Sequence, residues 1–212
     1  MNYRKDLLSN SNFIEITDYG TGSKIFNSDS RRISKIAKHA GISIKRGKLL
    51  FNLTEYFEPK NILEIGTSLG ISTSILSIAA PEATITTLEG CKTTASIAEQ
   101  QFKKYNFQNI DLKIETFEVS LPEILKGEKF DLIYFDGNHA KEATLNYFNQ
   151  SLESVHNNSV LIFDDIHWSK GMEEAWDEIK NHESVKVTID TFQWGFVFFR
   201  KEQEKEHFTI RV

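Results

Sequence analysis

An α/β fold built on an open, doubly wound and mostly parallel sheet is the architecture this sequence predicts, on three observations. From Asn61 onward, short apolar runs alternate with helix-patterned stretches, which is how successive βα units read. The first of these runs enters a glycine turn, NILEIGTSLGIST over 61–73, and a helix-forming stretch follows it. Near the C-terminus two β-rich runs, 185–192 and 194–200, meet around Trp194 and Gly195 with almost no loop. So short a link cannot make a parallel crossover, so the pair must be an antiparallel hairpin.

The elements follow in order. Residues 1–29 are polar and turn-rich, with Asp18, Gly20, Gly22 and Asn27 to Ser30, and read as an irregular arm. Ile33, Ile36, Ala37 and Ala40 share one helical face, which Gly41 ends. A second helix runs from about Lys45 with Leu49, Leu50, Leu53, Tyr56 and Phe57 on one stripe, and Pro59 stops it. Strands are expected at 61–66, 83–89, 110–115, 130–135 and 159–164, with helices near 70–80, 93–105, 121–126, 140–153 and 169–181. The tail HFTIRV alternates weakly, as an added edge strand would. Residues 1–58 form an arm with covering helices, part of the same domain as the sheet-bearing 59–212.

Composition narrows the function classes. The chain of 212 residues is 40% hydrophobic and 26% charged, ordinary for a globular protein. A net charge of −5 with scattered Lys and Arg argues against a nucleic-acid partner. No apolar run approaches a membrane span, and MNYRKDLLSNSNF lacks the apolar centre of a signal peptide. One cysteine, Cys91, excludes an internal disulfide and a thiolate-rich metal site, so a reducing cytoplasm is expected. A homodimer is the oligomer left open.

The glycine spacing decides the nucleotide. A dinucleotide fingerprint needs G-x-G-x-x-G, whereas Glu64, Gly66 and Gly70 spell E-x-G-x-x-x-G. This resembles motif I of class I S-adenosylmethionine-dependent methyltransferases, and Ser72 resembles the catechol-type O-methyltransferases. Their fold is a Rossmann-like seven-stranded sheet closed by such a C-terminal hairpin, with N-terminal helices added here; the resemblance makes 59–212 the methyltransferase domain. It implies that the turn from Gly66 through Thr67 and Ser68 to Gly70, with Ser72, holds the methionine part of the cofactor, where glycine lets the backbone approach. It implies that Glu64 helps to receive the amino group, directly or through water. Glu89, ending the second strand, would accept both ribose hydroxyls, one on each oxygen. Thr116, Phe117 and Glu118 stand where the family holds adenine, although Phe117 suits the core equally. Cys91 reads as a small turn residue.

The fourth and fifth strands end in FDGNH and FDDIHW. Both ends face the ligand crevice of an open sheet, which brings Asp136, Asp164 and Asp165 together. Three unpaired carboxylates repel, so the cluster calls for a cation or for raised pKa values. Oxygen ligands suit Mg²⁺ or Ca²⁺. The metal-dependent O-methyltransferases hold their ion with an aspartate after the fourth strand and an acidic pair after the fifth. In the catechol type a lysine follows the first aspartate by three residues. Here His139 stands there, resembling the D-G-x-H motif and histidine base of antibiotic- and sugar-modifying O-methyltransferases. The resemblance therefore implies methyl transfer to a hydroxyl of a small molecule, with Asp136 and His139 catalytic and Asp136, Asp164 and Asp165 on the metal. Other readings stay open: Asp136 contacting only the cofactor, Asp164 and Asp165 capping a helix, a metal-free enzyme acting on nitrogen or carbon, or a non-catalytic cofactor-binding module. His167 is a second candidate base. Trp168, Phe192 and Trp194 are candidates for stacking on a flat acceptor or for packing.

Overall fold

Strands that are apolar on both faces build the centre of the molecule. The computed structural model describes residues 2–20 and 28–212. The chain opens with helix α1 (Asn2–Ser9) and strand β1 (Phe13–Glu15), followed by β2 (Ser30–Arg32), α2 (Ile33–His39) and α3 (Ile44–Phe57). The βα units are β3 (Asn61–Ile65), α4 (Ile71–Ala79), β4 (Thr84–Leu88), α5 (Lys92–Lys104), β5 (Ile110–Lys113) and α6 (Phe117–Leu125). They continue with β6 (Leu132–Phe135), α7 (Lys141–Ser151), β7 (Val160–Asp164) and α8 (Lys170–Asn181). Strands β8 (Val187–Asp190), β9 (Trp194–Phe198) and β10 (Glu206–Thr209) close the chain.

The main sheet runs β10-β8-β9-β7-β6-β3-β4-β5. All its pairings are parallel except those of β9, which lies antiparallel between β7 and β8. The expected strands and hairpin are therefore present, and the tail adds β10 as an eighth strand parallel to β8. Side-chain alternation sends Ile62, Tyr134 and Ile162 to one face, where α1 to α5 cover them. Leu63, Ile65, Ile133, Phe135, Leu161 and Phe163 point to the other face, under α6, α7 and α8. There the rings of Phe135 and Phe163 stack at 4.2 Å. Burial on both faces is why these strands read as continuous apolar runs.

Two expectations need correction. The described part of the N-terminal arm is not irregular throughout: α1 docks through Tyr3 and Leu7, and β1 pairs with β2 from Phe13–Arg32 to Glu15–Ser30. A single i, i+4 apolar pair and two three-residue strands leave almost no periodic signal. Gly22 and Asn27, cited above for the arm, lie outside the described residues. Helix α6 begins at Phe117, four residues earlier than expected, with Pro122 inside it. Pro122 stands in the second turn of the helix, where it is less usual than in the first.

The order reverses between β3 and β6, since β4 and β5 extend one way and β7 the other. A crevice opens at the carboxyl ends there, the ligand position of open α/β sheets. Among the described residues no helix is long and apolar enough to cross a membrane.

Candidate active site

A cavity of about 380 Å³ opens at the carboxyl ends of β3, β4, β6 and β7. Its first wall is the glycine turn after β3. Gly66 has φ +108°, and a Cβ there would run into the backbone carbonyl of Asp136, so the two strand ends touch main chain to main chain. Gly70 has φ +75° and starts α4. Ser68, also left-handed at φ 48°, donates its N–H to Glu89 Oε2 at 2.8 Å. Glu89 Oε1 accepts the Cys91 N–H at 2.9 Å. Burial pushes the Glu89 carboxyl up, and those two N–H groups oppose the shift. Each oxygen keeps a lone pair for a further donor. Phe117 lies edge-on to Tyr147 and against Gly137, lining the same cavity.

The second wall is acidic. Asp136 follows β6 and Asp164 ends β7; the register pairing Phe135 with Phe163 sets them side by side. The buried Tyr134 hydroxyl lies 3.3 Å from Asp136 Oδ2 and 3.3 Å from Asp164 Oδ2. Burial and the adjoining Asp164 hold the Asp136 carboxyl well above the usual carboxylate range. His139 Nε2 stands 3.9 Å from Asp136 Oδ1. A cation is present too. Arg46 Nη1 donates to Asp164 Oδ1 at 2.8 Å and Oδ2 at 3.1 Å, and lies 3.9 Å from Asp165 Oδ1. Burial works against the guanidinium charge, but Asp164 and its acidic neighbours outweigh it and push the Arg46 pKa up. The arm roofs the cavity. Thr17 donates its N–H to Cys91 Sγ at 3.3 Å, the Tyr19 ring covers Gly90, and Gly20 rests on Asn138.

Residues 63–166 match the family model described as a methyltransferase domain. Over that stretch, just under half of its length, the chain is similar to methyltransferase domains. Solved structures agree in fold. A methyltransferase of Podospora anserina, bound to S-adenosylhomocysteine (SAH), superposes with a TM-score of 0.69 at 20% identity, over 78% of this chain and 82% of that one. An O-methyltransferase of Bacillus cereus in complex with SAH gives 0.64 at 25% identity, over 75% and 81%. The O-methyltransferase TomG of Streptomyces achromogenes, involved in tomaymycin synthesis and solved with S-adenosylmethionine, gives 0.64 at 19%, over 75% and 81%. No curated protein sequence matches the chain.

Most of the expected site residues reach the cavity: Gly66, Ser68, Glu89, Thr116, Phe117, Glu118, Asp136, His139, Asp164 and Asp165 line it, as does Trp168. Glu64 does not. It is fully buried beside α4, where Oε2 accepts from Thr73 and, at 2.6 Å, from Thr87, while Oε1 has no partner. Thr87 also meets Thr67 at 2.6 Å, so Thr67 and Glu64 brace the glycine turn from beneath. Ser72 belongs to this buried set as well, helping to hold the Glu64 carboxylate. His167 is not in the cavity; its nitrogens meet Asp190 at 2.9 Å and Glu173 at 3.3 Å. Trp194 is core, edge-on to Tyr134, and Phe192 is exposed. Arg46 and Tyr134 were missed. The signal for Arg46 was its place three and four residues before Leu49 and Leu50, a charge on an apolar stripe.

Burial pushes the Glu64 carboxyl up to about 7, while hydrogen bonds from Ser72, Thr73 and Thr87 act the other way. The folded state thus binds the proton more tightly than the unfolded chain. Stability is greatest below the unfolded pKa, near 4.5, and falls as pH rises towards 7. Glu64→Gln is expected to remove that fall, so that urea denaturation shows wild type losing up to about 3 kcal/mol relative to the variant across this window. A constant difference across pH would show that Glu64 does not carry the effect.

Proposed function

We propose that this methyltransferase moves a methyl group from S-adenosylmethionine to a hydroxyl oxygen of a small molecule. The observation that carries the reading is the meeting, in one cavity, of a glycine turn with Glu89 on one side and a histidine beside strand-end carboxylates on the other. The cavity volume lies in the range of small-molecule sites. When bound, S-adenosylmethionine supplies an electrophilic methyl carbon for in-line displacement.

The chain's own residues would do the rest. Gly66 and Ser68 would admit the methionine part, Glu89 would take the ribose hydroxyls, and Phe117 would pack on adenine. Tyr134 stands between Asp136 and Asp164, and burial together with their charges keeps its phenol protonated. His139 would remove the acceptor proton, and Asp136, whose Oδ1 lies 3.9 Å away, would steady the ring. The resemblance also implies Mg²⁺ or Ca²⁺ on Asp136, Asp164 and Asp165. Carboxylate oxygens suit such an ion, but Asp164 is already engaged by Arg46. Among the described residues no group of three His, Cys, Asp or Glu side chains is arranged to hold a metal. The donor set does not fit the ion, and no step passes through it.

Calorimetric titration tests the reading: SAH is expected to bind and NAD is not, and the reverse result would overturn it. A second test is His139→Ala. It should lower methyl transfer to a panel of hydroxylated acceptors by about 10²–10⁴-fold with SAH affinity unchanged. An unchanged rate would remove His139 from the mechanism.

A further inference from the structure

We infer that Arg46 is the resident counter-charge of the strand-end carboxylates, standing where a divalent cation would otherwise sit, so that the acidic wall works without a metal. The consequence for catalysis rests on the methyl-transfer reading above; the claim about ion binding stands on geometry.

The lone pairs of Asp164 can be counted. An ionised carboxylate offers about four acceptor sites. Oδ1 takes Arg46 Nη1 at 2.8 Å and the Asp165 N–H at 2.8 Å. Oδ2 takes Arg46 Nη1 at 3.1 Å and faces the Tyr134 hydroxyl at 3.3 Å. No site remains. A Mg²⁺ or Ca²⁺ ion needs a carboxylate oxygen at roughly 2.0–2.6 Å, directed along a free lone pair. The guanidinium must leave before an ion can enter.

Arg46 is not a passing surface side chain. Ser43 caps α3 by accepting the Arg46 N–H at 3.2 Å, which fixes the first turn of the helix. One turn on, Leu50 is fully buried and pins the same face. The Arg46 side chain is 23% exposed and that of Asp164 only 5%, so the pair is largely withdrawn from water. Separating it would leave a buried carboxylate without its partner, a large penalty. Arg46 also lines the cavity, on the same side as Asp136, His139 and Asp165. Its charge therefore offsets the carboxylates at the point where the acceptor hydroxyl would approach. Activation of that hydroxyl then falls to proton removal rather than to Lewis-acid polarisation. Arg46 is a positioning residue in this scheme, acting through Asp164.

The test is a Mn²⁺ titration of the full chain with SAH present, followed by calorimetry and by paramagnetic resonance of free Mn²⁺. The SAH titration reports separately on the methyltransferase reading, so the two cannot fail together unnoticed. Wild type is expected to take up no Mn²⁺ at millimolar concentration. Arg46→Met, which uncovers Asp164, should bind Mn²⁺ at least about tenfold more tightly than wild type. Arg46→Lys, which restores the charge, should return to wild-type behaviour. Arg46→Gln reads the same gain if the methionine variant does not fold. One wild-type Mn²⁺ bound at micromolar concentration and lost in Asp164→Asn would overturn the inference. So would folded, SAH-binding Arg46→Met and Arg46→Gln proteins that gain no affinity.

Discussion

Gly66→Ala is expected to lower the affinity for SAH by more than about 100-fold, roughly 3 kcal/mol. Two costs combine. A left-handed backbone at φ +108° is strained for any L side chain, and the strain alone is worth about 1–3 kcal/mol. The added Cβ also meets the Asp136 carbonyl, which is main chain and cannot swing aside. Asp136 is itself tied to β3, its N–H donating to the Ile65 carbonyl at 2.9 Å, so relief requires β3 and β6 to part. The damage therefore reaches both walls of the cavity. Calorimetry with SAH on a variant of native circular dichroism decides it; affinity within a few-fold of wild type would mean that the turn is not the donor wall.

Glu89→Gln is expected to be nearly as harmful as Glu89→Ala, with affinity for SAH falling by about 10²-fold. The usual isosteric logic fails because both carboxylate oxygens already accept a backbone N–H, one from Ser68 and one from Cys91. An amide must turn its NH₂ towards one of them, setting donor against donor in a buried place. The loop carrying Ser68 or Cys91 would shift, and one ribose acceptor would be lost with it. Unchanged affinity in Glu89→Gln, measured by the same titration, would remove Glu89 from the cofactor site.

What could be read from sequence divides by the range of the interaction. Strands β6 and β7 were legible because burial on both faces leaves apolar runs, β3 because its apolar residues enter a glycine turn, and α8 because Met172, Ala175, Trp176 and Ile179 repeat at helical spacing. The convergence of Asp136 with Asp164 followed from topology alone. Their cation did not, because it arrives from a residue 118 positions earlier in the chain. Within the cluster Arg46 pairs with Asp164, and burial with the adjoining Asp164 holds the Asp136 carboxyl above the usual range. Glu64 shows a different limit. Alternation along β3 turns it to the α4 face, away from the cavity, although motif spacing alone makes it look like a ligand.

Helix α1 shares no wall with the cavity, yet its Tyr3 hydroxyl donates to the Leu69 carbonyl at 2.8 Å, inside the glycine turn, and both residues are buried. Burial pushes the Tyr3 phenol up, so the donor persists at any physiological pH. Local opening of α1 therefore breaks one tie on the turn. A ligand that needs the closed turn adds RT ln(1 + [L]/Kd) to the cost of that opening. Occupancy of the cavity would in this way slow exchange of α1 amide protons that no ligand touches.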